Sequence, residues 1–144
     1  MPESISEATT LTAALHQLQQ HLPHVGKDNT ADTGKYKYKY ADLNTVQAAI
    51  FPLLADYGLT WTTAPTLTPQ GFALHYALRH ASGEAIEGDY HLPAGTPQEI
   101  GSAITYARRY ALCAVTGLAP GGDDDDAAIS GLGDARDQPR CQRT

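Results

Sequence analysis

The chain has 144 residues, with 16 acidic against 10 basic side chains, a formal net charge of −6 and 42% apolar residues. Such a length makes about one domain and buries roughly two-thirds of the unfolded surface, so the core needs no disulfides. Cys113 and Cys141 supply neither a CxxC pair, a disulfide framework nor a four-ligand zinc site, which fits a reducing compartment such as the cytoplasm.

The opening MPESISEATTL has no positive region followed by an apolar one, so no signal peptide is expected, and no apolar run approaches the roughly 18 residues of a membrane span. Net acidity alone argues against nucleic acid as a partner, but the charge is unevenly spread. All four lysines, Lys27, Lys35, Lys37 and Lys39, fall in one short stretch, while residues 121–144 hold six acids and three arginines. That tail has four glycines before Asp134, the run Asp123 to Asp126 and no aromatic residue. It cannot bury enough apolar area to offset chain entropy, so it is expected to be a disordered acidic tail on a domain of residues 1–120.

Taken in order, Ser4 and Glu7 have capping-box spacing, and Leu11, Leu15, Leu18 and Leu22 recur at helical intervals until Pro23. This spacing predicts an amphipathic helix of about four turns. Residues 24–34 read as loop. Lys35 to Tyr40 alternates lysine with tyrosine, which in a strand puts lysines on one face and tyrosines on the other. Asp42 can cap a helix carrying Leu43, Val46, Ala49, Ile50, Leu53, Leu54 and Tyr57, which Pro52 should kink or restart and Gly58 should end. Three alternating runs follow, at Leu59–Thr63, Phe72–Arg79 and Ile86–Leu92, joined at Thr68–Gly71 and Ala81–Gly83 as in an antiparallel meander. The last helix opens on a capping box of Thr96 and Glu99 with Pro97 behind it, and closes at Gly117. Its apolar stripe is Ile100, Ala103, Ile104, Ala107, Ala111, Ala114, Val115 and Leu118. Ser102, Tyr106, Arg109 and Cys113 point the other way, with Thr105 and Arg108 on the flank. The expected fold is α+β: a β-β-β meander followed by a helix, with N-terminal helices packed on the sheet.

Two constellations fit single-stranded nucleic acid, which is held by cations along its backbone and by aromatic rings beneath its bases. The strand lysines Lys35, Lys37 and Lys39 supply the first, or else they protect a sheet edge from aggregation while the tyrosines face the core. Arg108 and Arg109 could grip phosphates with hydrogen bonds from Ser102, Thr105 or Tyr106, or else pair with Glu99 or another acid. Glu84, Glu87 and Asp89 could serve a metal-dependent nuclease, as could the aspartate run, but alternating strand acids and acidic runs are commonly solvated. No P-loop, GxGxxG or Ser/His/Asp motif appears, and the histidines lack ligand spacing.

The segments Tyr38-Lys39-Tyr40-Ala41-Asp42-Leu43, Pro52-Leu53-Leu54-Ala55-Asp56-Tyr57-Gly58-Leu59, Ser82-Gly83-Glu84 and Gly101-Ser102-Ala103-Ile104-Thr105-Tyr106-Ala107-Arg108-Arg109-Tyr110-Ala111-Leu112 occur in this order. Together they closely resemble the Erf (essential recombination function) family of phage and prophage single-strand annealing proteins. The resemblance covers about residues 6–127. It implies a β-β-β-α core like that of the wider annealing superfamily, ATP-independent annealing by a ring or filament of many subunits, and no catalytic step and no cofactor. In that superfamily a basic helix after the meander lines the DNA groove, which corresponds here to Arg108 and Arg109. The implied partners are single-stranded DNA, its complementary strand and further copies of the chain, together with a phage exonuclease or host single-strand-binding protein. The setting implied is the cytoplasm of a bacterial host, with no membrane. The expected DNA contacts are Lys35, Lys37, Lys39, Ser102, Thr105, Tyr106, Arg108 and Arg109. The residues themselves leave open a metal-dependent nuclease, or a structural oligomer whose leucine helix binds a partner.

Overall fold

Thr10 begins the first helix. Its backbone is extended and its hydroxyl accepts the Ala13 amide, so helix α1 runs Leu11–Gln19, nine residues against the expected four turns. The Ser4–Glu7 pair lies outside the described residues, which in the computed structural model are 9–27, 29–32, 34 and 37–121. Leu11, Ala14 and Leu18 are the buried residues of α1, so its packed stripe is narrower than the leucine pattern.

Two units make up the chain. The first takes in the described residues up to Pro23 and Leu43–Leu118. In it, helix α2 spans Leu43–Asp56 and buries Val46, Ile50 and Leu54; Tyr57, just past its end, is buried too, so four of the seven apolar positions expected on this helix are in the core. Pro52 was expected to kink or restart this helix, but α2 is assigned as one helix through it. Pro52 and Ala48 are both exposed, so the Ala48 carbonyl left without an N–H partner faces water. The sheet of this unit is a meander of β3 (Leu59–Thr68), β4 (Gly71–His80) and β5 (Ala85–His91), antiparallel and in that order. The strands are longer than the alternating runs suggest, because the Thr68–Gly71 turn closes directly on the ladder. Thr68 Oγ1 donates to the Gly71 carbonyl at 2.8 Å and accepts the Gln70 amide.

Cross-strand pairing sorts the side chains onto two faces. Leu59, Trp61, Leu74, Tyr76, Leu78 and Tyr90 share one face, while Thr60, Thr62, His75, Arg79, Glu87 and Asp89 share the other. Helix α3, Pro97–Thr116, crosses the first of these. Leu74, Leu92 and Ala107 form a buried cluster there, flanked by Tyr90, Ala103 and Ile104. Leu18, Val46, Ile50, Leu78 and Leu112 are fully buried as well, and each such aliphatic side chain contributes about 1.5–3 kcal/mol by leaving water. The architecture is the expected α+β arrangement, helices before and after an antiparallel meander.

Pairing also fixes which way the backbone groups point. Leu92 N–H donates to Phe72 and His80 N–H to Glu84, so even-numbered residues of β4 bond toward β5 and odd-numbered ones toward β3. Pro65 stands opposite Leu74, an even-numbered position, so its nitrogen faces outward from β3, an edge strand among the described residues.

The second unit takes in the described residues from His24 to Asp42 and from Ala119 to Gly121. Here β1, Asn29–Asp32, pairs antiparallel with β2, Lys37–Tyr40. Residues 24–34 were expected to be loop throughout, and β1 corrects this. Asn-Thr-Ala-Asp has almost no intrinsic strand preference, so the hairpin pairing with β2 makes it a strand. Gly121 N–H donates to the Val25 carbonyl at 2.7 Å, drawing residue 121 back to the start of this unit. No described helix is long and apolar enough to cross a membrane.

Candidate nucleic-acid interface

Helix α3 carries most of the expected site residues, and its ends hold it in register. Thr96 Oγ1 accepts the Glu99 amide at 3.2 Å while Glu99 Oε1 accepts the Thr96 amide at 2.9 Å, a complete capping box with Pro97 behind it. The Glu99 carboxylate is thus engaged at the cap, where an ion pair with the arginines was the alternative expected of it. At the far end Gly117 turns left-handed at φ 90 and its N–H bonds the Cys113 carbonyl.

Between these caps the helix is two-sided. Ala107, Ala111, Leu112 and Thr116 are buried, whereas Ser102, Thr105, Tyr106 and Tyr110 are exposed. Ala114, expected inside, is exposed, because the packed arc runs through Leu112 and Thr116 instead. Tyr106 and Tyr110, four residues apart, are 43% and 45% exposed, and their rings stack with centroids 4.3 Å apart at 25°. The Tyr106 hydroxyl donates to the Tyr110 hydroxyl at 2.8 Å. The Arg109 guanidinium lies 5.2 Å from the Tyr106 ring centre and 5.4 Å from that of Tyr110, within cation–π range of both. Residues 101–113 contain two arginines and no acid.

Tyr106 and Arg109 are therefore brought together, and Tyr110 joins them as a member that the sequence reading left out of the site. The signal was present in the i, i+4 spacing of two aromatic residues. Thr105 is on the exposed face, but its hydroxyl donates back to the Gly101 carbonyl at 3.3 Å. Arg108 does not share the tyrosine face. Like Arg109 it is half-buried, but its helical position sets it beside Ile104 and Leu112, one turn away on either side. Lys35 lies outside the described residues, while Lys37 and Lys39 are alternate positions of β2, opposite Asp32 and Thr30. Burial pushes the Cys113 thiol above its usual range, with the Arg109 charge opposing in part, so this side chain stays a neutral thiol.

Of the carboxylates considered for nuclease chemistry, Glu84 is engaged with α1 and the Ser82 turn, whereas Glu87 and Asp89 gather on one histidine. Glu84 Oε1 accepts the Leu11 amide at 2.7 Å and the Ser82 hydroxyl at 3.0 Å, and these hydrogen bonds hold its pKa below the usual value. Glu87 and Asp89 flank His75 on the open sheet face, at 3.0 Å from Nε2 and 2.8 Å from Nδ1. The bond to Asp89, helped by Glu87, raises the His75 pKa. Its charged form is thereby favoured, an advantage present below the ordinary imidazole range and lost as pH climbs through the raised value. Among the described residues no three His, Cys, Asp or Glu side chains are placed to hold a metal ion. The Asp123–Asp126 run lies outside the described residues.

A family model described as the ERF superfamily matches residues 11–136, which include all of α1 to α3 and the aspartate run. No curated protein and no solved structure gives a significant match to the chain. With most of its length matched, the chain belongs to the ERF superfamily, whose members serve recombination by annealing single strands.

Proposed function

We propose that this chain binds single-stranded DNA and anneals it to its complement without ATP, as an assembly of many subunits and with no bond made or broken. The observation that carries this reading is the outward face of α3, where the exposed, stacked rings of Tyr106 and Tyr110 lie against the Arg109 guanidinium. Phosphates are held by Arg109 and by Lys35, Lys37 and Lys39, with Ser102 adding a hydrogen bond and Arg108 reaching round the helix on its long stem. Contacts to the phosphates carry no base information, which suits a protein that must pair any two complementary strands.

Assembly answers the acidity of the chain. Repeating one basic helix face around a ring concentrates positive potential along a continuous path although each subunit is net negative. Residues 121–144 act as an acidic tail on the binding domain. Work of this kind belongs to the bacterial cytoplasm, alongside a phage exonuclease or a host single-strand-binding protein.

The test mixes two complementary dye-labelled oligonucleotides with the protein in the absence of nucleotide triphosphate. Annealing faster than the protein-free rate, together with light scattering that reports a multimer, is the expected outcome. An unaccelerated rate, or a monomer both with and without single-stranded DNA, contradicts the proposal. Cleavage of the strands with magnesium that stops on chelation identifies a nuclease instead.

A further inference from the structure

We infer that the Tyr106–Tyr110 pair is a stacking platform for an unpaired base of single-stranded DNA, with the Arg109 guanidinium beside it for the adjoining phosphate. This rests on the single-strand reading above and specifies how one nucleotide is gripped.

The pair is hard to account for as packing. Two aromatic side chains at i and i+4 stabilise a helix by only about 0.2–0.5 kcal/mol, yet here each keeps more than two-fifths of its surface in water. The opposite arc of the same helix buries Ala107, Ala111 and Leu112, so α3 is anchored without them. The rings are set firmly all the same. Stacking at 4.3 Å and the hydroxyl-to-hydroxyl bond hold them as one unit on a doubly capped helix. One turn toward the N-terminus the same face carries only Gly101, Ser102 and Thr105, and a Cβ added at Gly101 would meet nothing within 4 Å.

The chemistry matches a nucleotide in two parts. A base has a π-face whatever its identity, and stacking on an aromatic side chain is accordingly sequence-tolerant. The hydrogen bond between the two hydroxyls uses one of their two protons, so the pair keeps one hydroxyl proton to donate toward an anion. Arg109 lies 5.2 and 5.4 Å from the two ring centres, so a cation for phosphate stands directly beside the aromatic surface offered to the base. An acidic peptide would use the guanidinium but leave the rings idle.

The experiment uses the full chain and two oligothymidylates of equal length, one containing a single fluorescent aminopurine and one made abasic over its central positions. The wild-type protein should quench the aminopurine on binding and hold the abasic strand about tenfold more weakly at an unchanged salt slope. A double change of Tyr106→Leu and Tyr110→Leu should abolish the quenching and bring both strands to the same affinity, whereas Tyr110→Phe, which keeps the ring, should retain the quenching. Equal wild-type affinity for the two strands, or quenching that survives the double change, overturns the inference while leaving phosphate binding intact. Failure of the wild-type protein to bind either strand overturns the single-strand reading itself.

Discussion

Gly88 lies beneath the ring of Tyr76, its partner across β4 and β5, and a Cβ there would collide with Tyr76 Oη and Cζ. The same ring stacks on Trp61 at 5.6 Å, so it cannot swing aside without losing that contact. Gly88→Ala should destabilise the fold by about 1–3 kcal/mol, the usual range for overpacking, and shift the emission of Trp61, the single tryptophan. An unchanged denaturant midpoint and spectrum would show that the ring has room. Glu84 is a second residue whose role is structural. Its carboxylate caps the first amide of α1, where negative charge opposes the helix dipole favourably. Because its pKa is lowered in the fold, the stabilisation is present above the ordinary glutamate value of 4.5 and disappears as pH falls through the lowered one. Glu84→Gln should therefore lower the melting temperature at neutral pH, with the gap to wild type closing in acid. A gap constant with pH would assign the effect to shape alone.

Among the elements, α3 was the most legible in sequence, since capping box, N1 proline and left-handed glycine all coincide with its observed ends. The start of α1 was misplaced because Ser4–Glu7 and Thr10 are both acceptable caps, and only packing of Leu11, Ala14 and Leu18 chooses between them. Strand β1 was hidden because its preference comes from its partner, and α2 passes Pro52 because the orphaned carbonyl is solvated. At the site, Tyr106 and Arg109 were found by helical phase. Arg108 was set on the flank, and it is half-buried just as Arg109 is, so the two differ in their neighbours: Arg109 lies against the two tyrosine rings, while Arg108 sits one turn from Ile104 and Leu112. The two arginines should accordingly behave differently. Arg109→Ala should weaken binding to all single strands alike and reduce the salt slope by about 0.7, with stability unchanged. Arg108→Ala should lower the denaturant midpoint through lost packing of its stem and affect binding less. The opposite ranking would move the phosphate site to the other side of the helix.

For the whole molecule, the charge distribution sets an internal competition. The aspartates at 123–126 follow α3 closely in sequence and carry the charge of the DNA that the helix is proposed to hold. Deleting residues 121–144 should tighten single-strand binding, most at low salt where screening is weakest. Equal affinities at every salt concentration would leave the tail a solubility role only. The proposed assembly of many subunits would also have to avoid uncontrolled growth, and the outward nitrogen of Pro65 bears on this. A ten-residue strand with uncharged side chains would otherwise offer a continuous row of amide donors to any extended chain nearby. Proline removes one donor from the middle of that row and bulks out the position, so the sheet cannot be prolonged subunit to subunit past β3. In the proposed ring the subunits would then join through side-chain surfaces, with a size set by geometry instead of by how far a sheet happens to grow. Restoring the donor with Pro65→Thr should convert a discrete particle into a population that lengthens with time and binds amyloid dyes.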